Sequence, residues 1–593
     1  MTQLKNKAIV YQVFTRLFGN KNTTNKPWGT CKENGVGKFS DFTDKALAEI
    51  KNLGVTHIWY TGVPHHALVG DYTQYGIVSD HPAVVKGRAG SPYAVKDYYN
   101  VNPDLAIEPG QRLNEFIALI ERSHQHGLKV IIDIVPNHVA REYQGLTNPK
   151  LIKDFGSNDD ITLEYHRDNN FYYIPHTSFY LPEFDRFSLP LAGEKAPLLL
   201  TPFVEFPAKW TGNGSRLVQP TCDDWYETAK INYGVRPDGS KDFACLPTVY
   251  SQYSHEAHYL FWKHKDIPDS WLKFHDITMY WLALGVDGFR YDMAEMVPVE
   301  LWSFLNSAIK NKNPDAFLMA EVYQPQLYRD YIQLGKMDYL YNKIDLYDTL
   351  KAIIRGTETT DALVNVQSDL ADIEHQMLNF LENHDEQRIP SADFAGFSEK
   401  GKPAMVVATL LSSSPTMLYF GQEVGEPAAD DAGFGLASRT TIFDYFGVPH
   451  HQRWMNNGKF DGGLLTQSEK QLRLFYQRLL NFAKNSKAVM GEYYDLQGYN
   501  RQINANYTDK LFAFSRYSLT EKIITIVNFE NKKSELNTLF IPAELISQWS
   551  LNDGHYLLID VLEPTRKVQL LVKDDKGEII ILLDKLDCYV LQF

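Results

Sequence analysis

The stretch Gly285-Val-Asp-Gly-Phe-Arg-Tyr-Asp-Met-Ala-Glu295 is the one around which the rest of this chain can be placed, because it is typical of a short buried strand that ends in charged side chains. The side chains at 286 and 289 are apolar, whereas Arg290 and Asp292 are charged and stand two residues apart. Alternate residues of an extended chain point to the same side, so this guanidinium and carboxylate are expected to meet. An arginine beside an aspartate keeps the aspartate ionised, as a carboxylate nucleophile requires. An ordinary ion pair at a strand end would give the same pattern.

Similar apolar runs alternate with amphipathic helical patterns from residue 8 to about residue 490. Helices are predicted over Pro109–Gly127 and Pro268–Gly285, where apolar residues recur at the spacing of one helix face. The eight predicted strands are Ala8–Phe14, Val55–Thr61, Lys129–Val135, Val286–Tyr291, Ala316–Val322, Met337–Tyr341, Met377–Glu382 and Thr416–Gly421. Eight alternations with continuously apolar strands predict an α/β fold, a (β/α)8 TIM barrel, because closure covers every strand edge.

Two departures from the alternation predict further domains. The connection after the third strand runs from about His138 to about Pro268, far longer than an ordinary βα loop, and it is rich in aromatic residues. After about residue 490, short strand-like runs follow one another closely, which is typical of an all-β sandwich: Leu511–Tyr517, Lys522–Asn528, Tyr556–Val561, Val568–Val572, Glu578–Leu583 and Cys588–Leu591. The predicted domains are therefore a barrel (1–138 and 269–490), an irregular insert after strand three (139–268) and a C-terminal all-β sandwich (491–593).

Composition excludes several classes of partner. The net charge is −14 and no basic run stands out, which argues against nucleic acid or an anionic membrane as the main partner and favours a neutral substrate. Four cysteines without a Cys-x-x-Cys pair indicate neither a zinc site nor a disulfide framework. The aromatic content of 13% suits sugar binding and equally a large aromatic core.

The chain is expected to be soluble, without membrane insertion. No run approaches the roughly 18 apolar residues of a membrane span. The apolar run Ala8–Phe14 is too short and too interrupted for a signal peptide and is better explained as a first strand. The sequence as written therefore indicates a cytoplasmic protein; a periplasmic or secreted one would have lost a cleaved signal.

Three predicted strands end in carboxylates. Asp292 follows strand four, Glu321 follows strand five and Asp385 follows strand seven, while His138 closes the run Asp133-Ile-Val-Pro-Asn-His138 after strand three. The ends of barrel strands converge on one mouth, where clustered acids raise at least one pKa and leave a protonated carboxyl as general acid. A nucleophilic carboxylate and a proton donor about 5 Å apart are what retaining glycoside hydrolysis requires.

These four motifs, in this order, resemble the signatures of the α-amylase family, glycoside hydrolase family 13. The resemblance implies a barrel with an inserted domain after strand three and a C-terminal β-sandwich. It further implies that Asp292 is the nucleophile, that Glu321 is the acid/base, and that Asp385 is a third carboxylate that holds sugar hydroxyls. By the same resemblance, the substrate-binding residues are Tyr93, His138, Arg290, His384 and Arg439, with Tyr93 stacking on the sugar and Arg290 orienting the nucleophile.

The function that the resemblance implies is retaining hydrolysis of α-glucosidic bonds, mainly α-1,4, in starch-derived glucans or maltooligosaccharides, with no required cofactor. A 4-α-glucanotransferase or branching enzyme would use the same residues. An inactive carbohydrate-binding relative would be expected to lack a carboxylate, and all three are present. The aromatic insert leads to the hypothesis of a narrowed cleft that favours short maltooligosaccharides, cyclodextrins or pullulan. The preference between α-1,4 and α-1,6 bonds stays open.

The sequence departs from the family pattern at two positions. Many calcium-dependent members carry a histidine four residues after the nucleophile, where this chain has Met296. Calcium requires oxygen ligands, which a methionine side chain lacks. Asn137 would serve a structural calcium site only if such a site exists. Ser91 replaces the histidine usual two residues before the stacking tyrosine, which leaves one donor fewer at the cleaved sugar.

Overall fold

The computed structural model describes residues 6–183, 191–193, 202–531 and 534–593, and its first part is built on one eight-stranded parallel sheet. In chain order, the barrel strands are Ile9–Phe14, His57–Thr61, Lys129–Ile134, Gly288–Tyr291, Phe317–Ala320, Tyr339–Tyr341, Met377–Leu378 and Thr416–Tyr419. Neighbours in the sheet follow chain order, the first strand pairs with the eighth, and a parallel bridge between Asn379 and Thr416 joins the seventh to the eighth. The predicted (β/α)8 barrel is confirmed, with strands shorter than their apolar runs.

Helices fill the connections between the barrel strands. The predicted helices are confirmed as Asp269–Ala283 and as Arg112–Gln125, the latter preceded by a single turn at Pro109–Gln111. The other α-helices described are Thr15–Phe18, Cys31–Asn34, Asp44–Asn52, His255–Trp262, Val299–Lys312, Tyr328–Gln333, Asp348–Arg355, Ala362–Asp369, Lys402–Leu410, Pro449–Met455, Gln467–Asn485, Gln497–Ile503 and Ala543–Gln548. None of the helices in the described ranges is long and apolar enough to cross a bilayer.

The register of the sheet aligns the charged strand ends. Arg290 lies opposite Asp133 of the third strand and Met319 of the fifth. Gly288 permits this close pairing, because a Cβ there would lie 2.1 Å from the carbonyl oxygen of Phe317. The polar residues of the fourth strand therefore stand level with those of its neighbours, at the carboxyl end where barrel sites lie.

The segment after the third strand is mostly irregular, as predicted. Its strand pairs are His138–Ala140 with Thr228–Lys230, and Tyr173–Ile174 with Ala208–Lys209. Aromatic residues hold it together, as in the stacked rings of Tyr172 and Trp210, whose centroids are 4.4 Å apart. Parts of this segment, 184–190 and 194–201, lie outside the described residues. The domain boundaries stay a prediction.

The C-terminal part is all antiparallel, which confirms the predicted β class. Its eight strands are Glu492–Asp495, Leu511–Tyr517, Lys522–Asn528, Glu535–Ile541, Gly554–Asp560, Lys567–Lys573, Lys576–Leu583 and Cys588–Gln592. They form one sheet, and apolar residues from both of its ends share one core. The first and fourth of these strands were not predicted from the sequence. All four cysteines are free thiols.

Candidate active site

Arg290 is the centre of the candidate site. It is fully buried and donates to two carboxylates, from Nη1 to Asp292 Oδ1 at 2.7 Å and from Nη2 to Glu321 Oε2 at 2.9 Å. Its Nε donates to the hydroxyl of Tyr341 at 3.2 Å, and its guanidinium carbon lies 5.2 Å from the ring centroid of Trp59. Charge-assisted hydrogen bonds of a rigid guanidinium fix geometry as well as charge. Asp292 and Glu321, which follow neighbouring strands, are thereby held by the two terminal nitrogens of one guanidinium.

The backbone after Asp292 helps to orient Glu321. Met293 adopts a left-handed conformation, with φ 43° and ψ 42°, which is costly for a side chain of this size. This turn directs the N–H of Met293 to Glu321 Oε2 at 2.9 Å. The same carboxylate oxygen therefore receives hydrogen bonds from Met293 and from Arg290. The strained backbone of Met293 therefore helps to fix the position of the Glu321 carboxylate.

The environment of Asp292 disfavours its ionised form. Burial raises the pKa of Asp292 well above its usual range; the Arg290 guanidinium opposes this rise, and the negative charges of Glu321 and Asp385 add to it. Because Arg290 holds the carboxylates of Asp292 and Glu321 next to each other, ionising both of them is costly. Burial and the neighbouring acids thus favour the protonated form of Asp292, whereas the Arg290 guanidinium favours its ionised form.

Asp385 completes the group of acids with a different environment. Burial raises the pKa of Asp385, but His384 and the arginines 290 and 439 outweigh burial, so the net shift is downward. His384 Nε2 lies 3.0 Å from Asp385 Oδ2 and also contacts the hydroxyl of Tyr93. Gln12 Nε2 lies 2.8 Å from His384 Nδ1, so a polar side chain of the first barrel strand helps to hold the imidazole in place. Asp385 is therefore an acid that stays ionised.

His138 is a neutral imidazole beside the cavity. Burial, with the positive charges of Lys230 and Lys86, lowers the pKa of His138 to about 3. The ring packs edge-on against Trp225 with a centroid distance of 5.4 Å. A neutral imidazole can donate or accept a hydrogen bond with a sugar hydroxyl.

These residues surround one open cavity of about 410 Å³, within the usual size of small-molecule sites. It is lined by Lys86, Ser91, Tyr93, His138, Trp225, Glu227, Thr228, Asp292, Met293, Glu321, Tyr323, Asp385, Glu386, Arg439, Ile442 and Phe443. Six of the residues singled out from the sequence lie in this lining: Tyr93, His138, Asp292, Glu321, Asp385 and Arg439. Arg290 and His384 lie behind it and hold its acids. Asn137 does not line it.

Several lining residues were missed by the sequence analysis. Trp225, Glu227 and Thr228 come from the inserted segment, and Glu227 pairs with Lys86 across the cavity wall. No motif marks them, and only the aromatic content of the insert hinted at their role. Gln12 could have been found, because it is a polar residue inside the apolar first strand.

The residues present around Asn137 do not fit a calcium ion. Asn137 is fully buried; its Nδ2 donates to the carbonyl oxygen of Gly212 at 2.8 Å, and its Oδ1 accepts a hydrogen bond from Lys230 Nζ. Calcium takes six to eight oxygen ligands, and an ammonium group already occupies the asparagine oxygen. Within the described residues, no cluster of three or more His, Cys, Asp or Glu side chains could hold a metal.

A closed parallel barrel with three acids around one cavity at the carboxyl ends of its strands has the arrangement that barrel enzymes acting on glycosidic bonds can use. The chain belongs to the α-amylase family of glycoside hydrolases and transglycosylases: the family model for the α-amylase catalytic domain matches residues 12–174 and 249–444, which is more than half of the chain.

Individual relatives are distant. Neopullulanase 2 of Thermoactinomyces vulgaris is 21% identical over 92% of this chain and 72% of its own length. Cyclomaltodextrin glucanotransferase of Bacillus sp. strain 38-2 is 23% identical over 70% of this chain, which corresponds to only 49% of the relative. Among solved structures, an α-amylase from Lactobacillus plantarum matches over all of both chains with a TM-score of 0.58 and 18% identity. That likeness concerns the fold.

Proposed function

We propose that this protein is a retaining glycoside hydrolase that cleaves α-glucosidic bonds, mainly α-1,4, in starch-derived glucans and maltooligosaccharides. The observation that carries the proposal is the pair of hydrogen bonds from Arg290, which holds Asp292 and Glu321 side by side at the wall of one cavity. Retaining enzymes need a nucleophile and a proton donor about 5 Å apart. The two carboxylates of Asp292 and Glu321 accept hydrogen bonds from neighbouring nitrogens of one guanidinium, which supports their assignment as such a pair.

The proposed reaction is a double displacement. In the first step, an ionised Asp292 oxygen attacks the anomeric carbon, the glycosidic carbon–oxygen bond breaks, and Glu321 gives its proton to the leaving oxygen. In the second step, Glu321 takes a proton from water, the water oxygen bonds to the anomeric carbon, and the ester bond to Asp292 breaks. Asp385 holds sugar hydroxyls, since its ionised carboxylate is directed by His384.

The lining of the cavity supports a neutral, aromatic-stacking substrate such as a short glucan. Tyr93 packs against the His384 ring at 5.2 Å, and Trp225, Tyr323 and Phe443 supply further apolar rings. Flat rings pack against the apolar faces of sugars, while the acids bind hydroxyls. The name of the neopullulanase relative adds pullulan to the candidate substrates.

A 4-α-glucanotransferase is the second candidate, because a cyclomaltodextrin glucanotransferase is among the relatives and the same two acids would serve. The difference lies in the second step, where a sugar hydroxyl replaces water as the acceptor. Apolar rings around the cavity, such as Tyr323 and Phe443, would favour a sugar acceptor over water.

The test is a time course of products from maltohexaose and from pullulan, with the wild type and Glu321→Gln side by side. Shorter sugars alone from the wild type, and none from the variant, support the hydrolase, and the pullulan products assign the linkage. Early products longer than the starting sugar identify the transferase instead. Glu300→Gln is the matched control, because Glu300 is equally buried but pairs with Lys241 outside the cavity; it should keep wild-type activity.

A further inference from the structure

Lys230 occupies a position where a structural cation would otherwise be expected. Its ammonium group donates to Asn137 Oδ1, the oxygen that the family resemblance assigns to a calcium site. Lys230 and Met296 line the same cavity of about 320 Å³, between the inserted segment and the loop after the fourth barrel strand. Lys230 therefore contacts Asn137, which matches the calcium pattern, and shares a cavity with Met296, which departs from it.

The surroundings of Lys230 join the inserted segment to the barrel. Lys230 ends the short strand Thr228–Lys230 and stands opposite His138 in the antiparallel pair. The backbone N–H of Ile231, the next residue, donates to the carbonyl oxygen of Asn137 at 3.1 Å. Main-chain and side-chain hydrogen bonds thus converge on Asn137 from one side, the side of the inserted segment.

We propose that Lys230 is a built-in substitute for a bound cation: its ammonium group locks the inserted segment onto the end of the third barrel strand, and the protein needs no calcium at this position. An ammonium group is a compact charge with three N–H donors, so it can satisfy the buried amide oxygen that calcium would otherwise bind. It also repels a divalent ion at the same place. Met296 offers no oxygen through its side chain.

The contact of Lys230 with Asn137 also bears on the cavity of the candidate active site. His138 lines that cavity, follows Asn137 directly and pairs with Lys230 in the strand register. Lys230 does not line the cavity itself. It is therefore a positioning residue, which acts on the substrate through His138.

The experiment compares melting temperatures of the wild type, Lys230→Met, Lys230→Arg and Asn137→Ala, each in calcium chloride and in EDTA. We expect the wild-type Tm to be the same in both solutions. Lys230→Met keeps the length of the side chain without its charge and should lower Tm and expose the inserted segment to limited proteolysis. Lys230→Arg keeps a charged N–H donor and should therefore keep most of the wild-type Tm and most of the wild-type resistance to proteolysis.

Two results would overturn the proposal: a calcium-dependent rise in the wild-type Tm that disappears in Asn137→Ala, or a Lys230→Met protein with unchanged Tm and protease resistance. A second measurement is the KM for maltohexaose, which should rise about two- to tenfold in Lys230→Met, as for one weakened hydrogen bond between His138 and the sugar, with kcat much less affected. This measurement rests on the proposed function, whereas the Tm and proteolysis measurements do not. Failure of the proposed function would therefore leave them interpretable.

Discussion

Replacing Arg290 by lysine tests how the two acids are held. A lysine keeps the positive charge but cannot place two N–H groups in a fixed fork, so either Asp292 or Glu321 loses its partner. Each charge-assisted hydrogen bond contributes about 1.5–3 kcal/mol. Because about 1.4 kcal/mol corresponds to a tenfold change in rate, Arg290→Lys should lower kcat/KM by about 10- to 100-fold.

The pH dependence of the same variant gives an independent readout. Arg290 lowers the pKa of Asp292, while burial and neighbouring charges raise it. Weakening that contact should raise the pKa further, and the proposed nucleophile must lose its proton to react. The acidic limb of the kcat/KM profile should therefore move to higher pH in Arg290→Lys.

The assay is the rate of hydrolysis of maltohexaose as a function of pH, with Arg388→Lys as control. Arg388 is also fully buried, donates to Glu382 at 2.7 Å and lies 4.1 Å from the ring centroid of Tyr419, but its carboxylate partner, unlike those of Arg290, does not line the cavity. The control should lower Tm and leave the acidic limb in place. If kcat/KM fell less than threefold in Arg290→Lys, or if the acidic limb moved equally in Arg290→Lys and Arg388→Lys, then Arg290 would not hold the two acids in the way described.

Three further outcomes are expected. Asp385→Asn removes a negative charge that raises the pKa of Asp292, so the acidic limb of its residual activity should move to lower pH; a move to higher pH would contradict the assignment. Tyr93→Phe keeps the stacked ring but loses the hydroxyl contact with His384, so KM for maltohexaose should rise about two- to tenfold, and an unchanged KM would remove Tyr93 from the binding site. Ser303→Ala leaves Trp262 Nε1 and His258 Nδ1 without their buried partner, at 2.8 and 2.7 Å, and should cost about 1–3 kcal/mol of stability; a lower Tm with unchanged kcat/KM is the expected result.

The barrel was predictable because its strands are buried on both faces. Such strands appear as continuous apolar runs, and all eight runs proved to contain a strand. The runs are longer than the strands: Met377–Glu382 was predicted, but the strand covers only Met377–Leu378, because apolar residues beyond the last sheet hydrogen bond are buried as well. In the C-terminal sheet, Glu492–Asp495 was missed, because its sequence carries acids at both ends and gives no apolar run.

The order of the barrel strands and the acids at their ends were predictable from the sequence, because short motifs and apolar periodicity are local properties of the chain. The candidate roles of those acids came from the family resemblance. Which side chains meet across long separations became clear only in the folded chain. The contact of Gln12 with His384, the pairing of Lys86 with Glu227 and the contact of Lys230 with Asn137 are of this kind. Each joins segments far apart in the chain, and no local pattern records a partner that folding brings into contact.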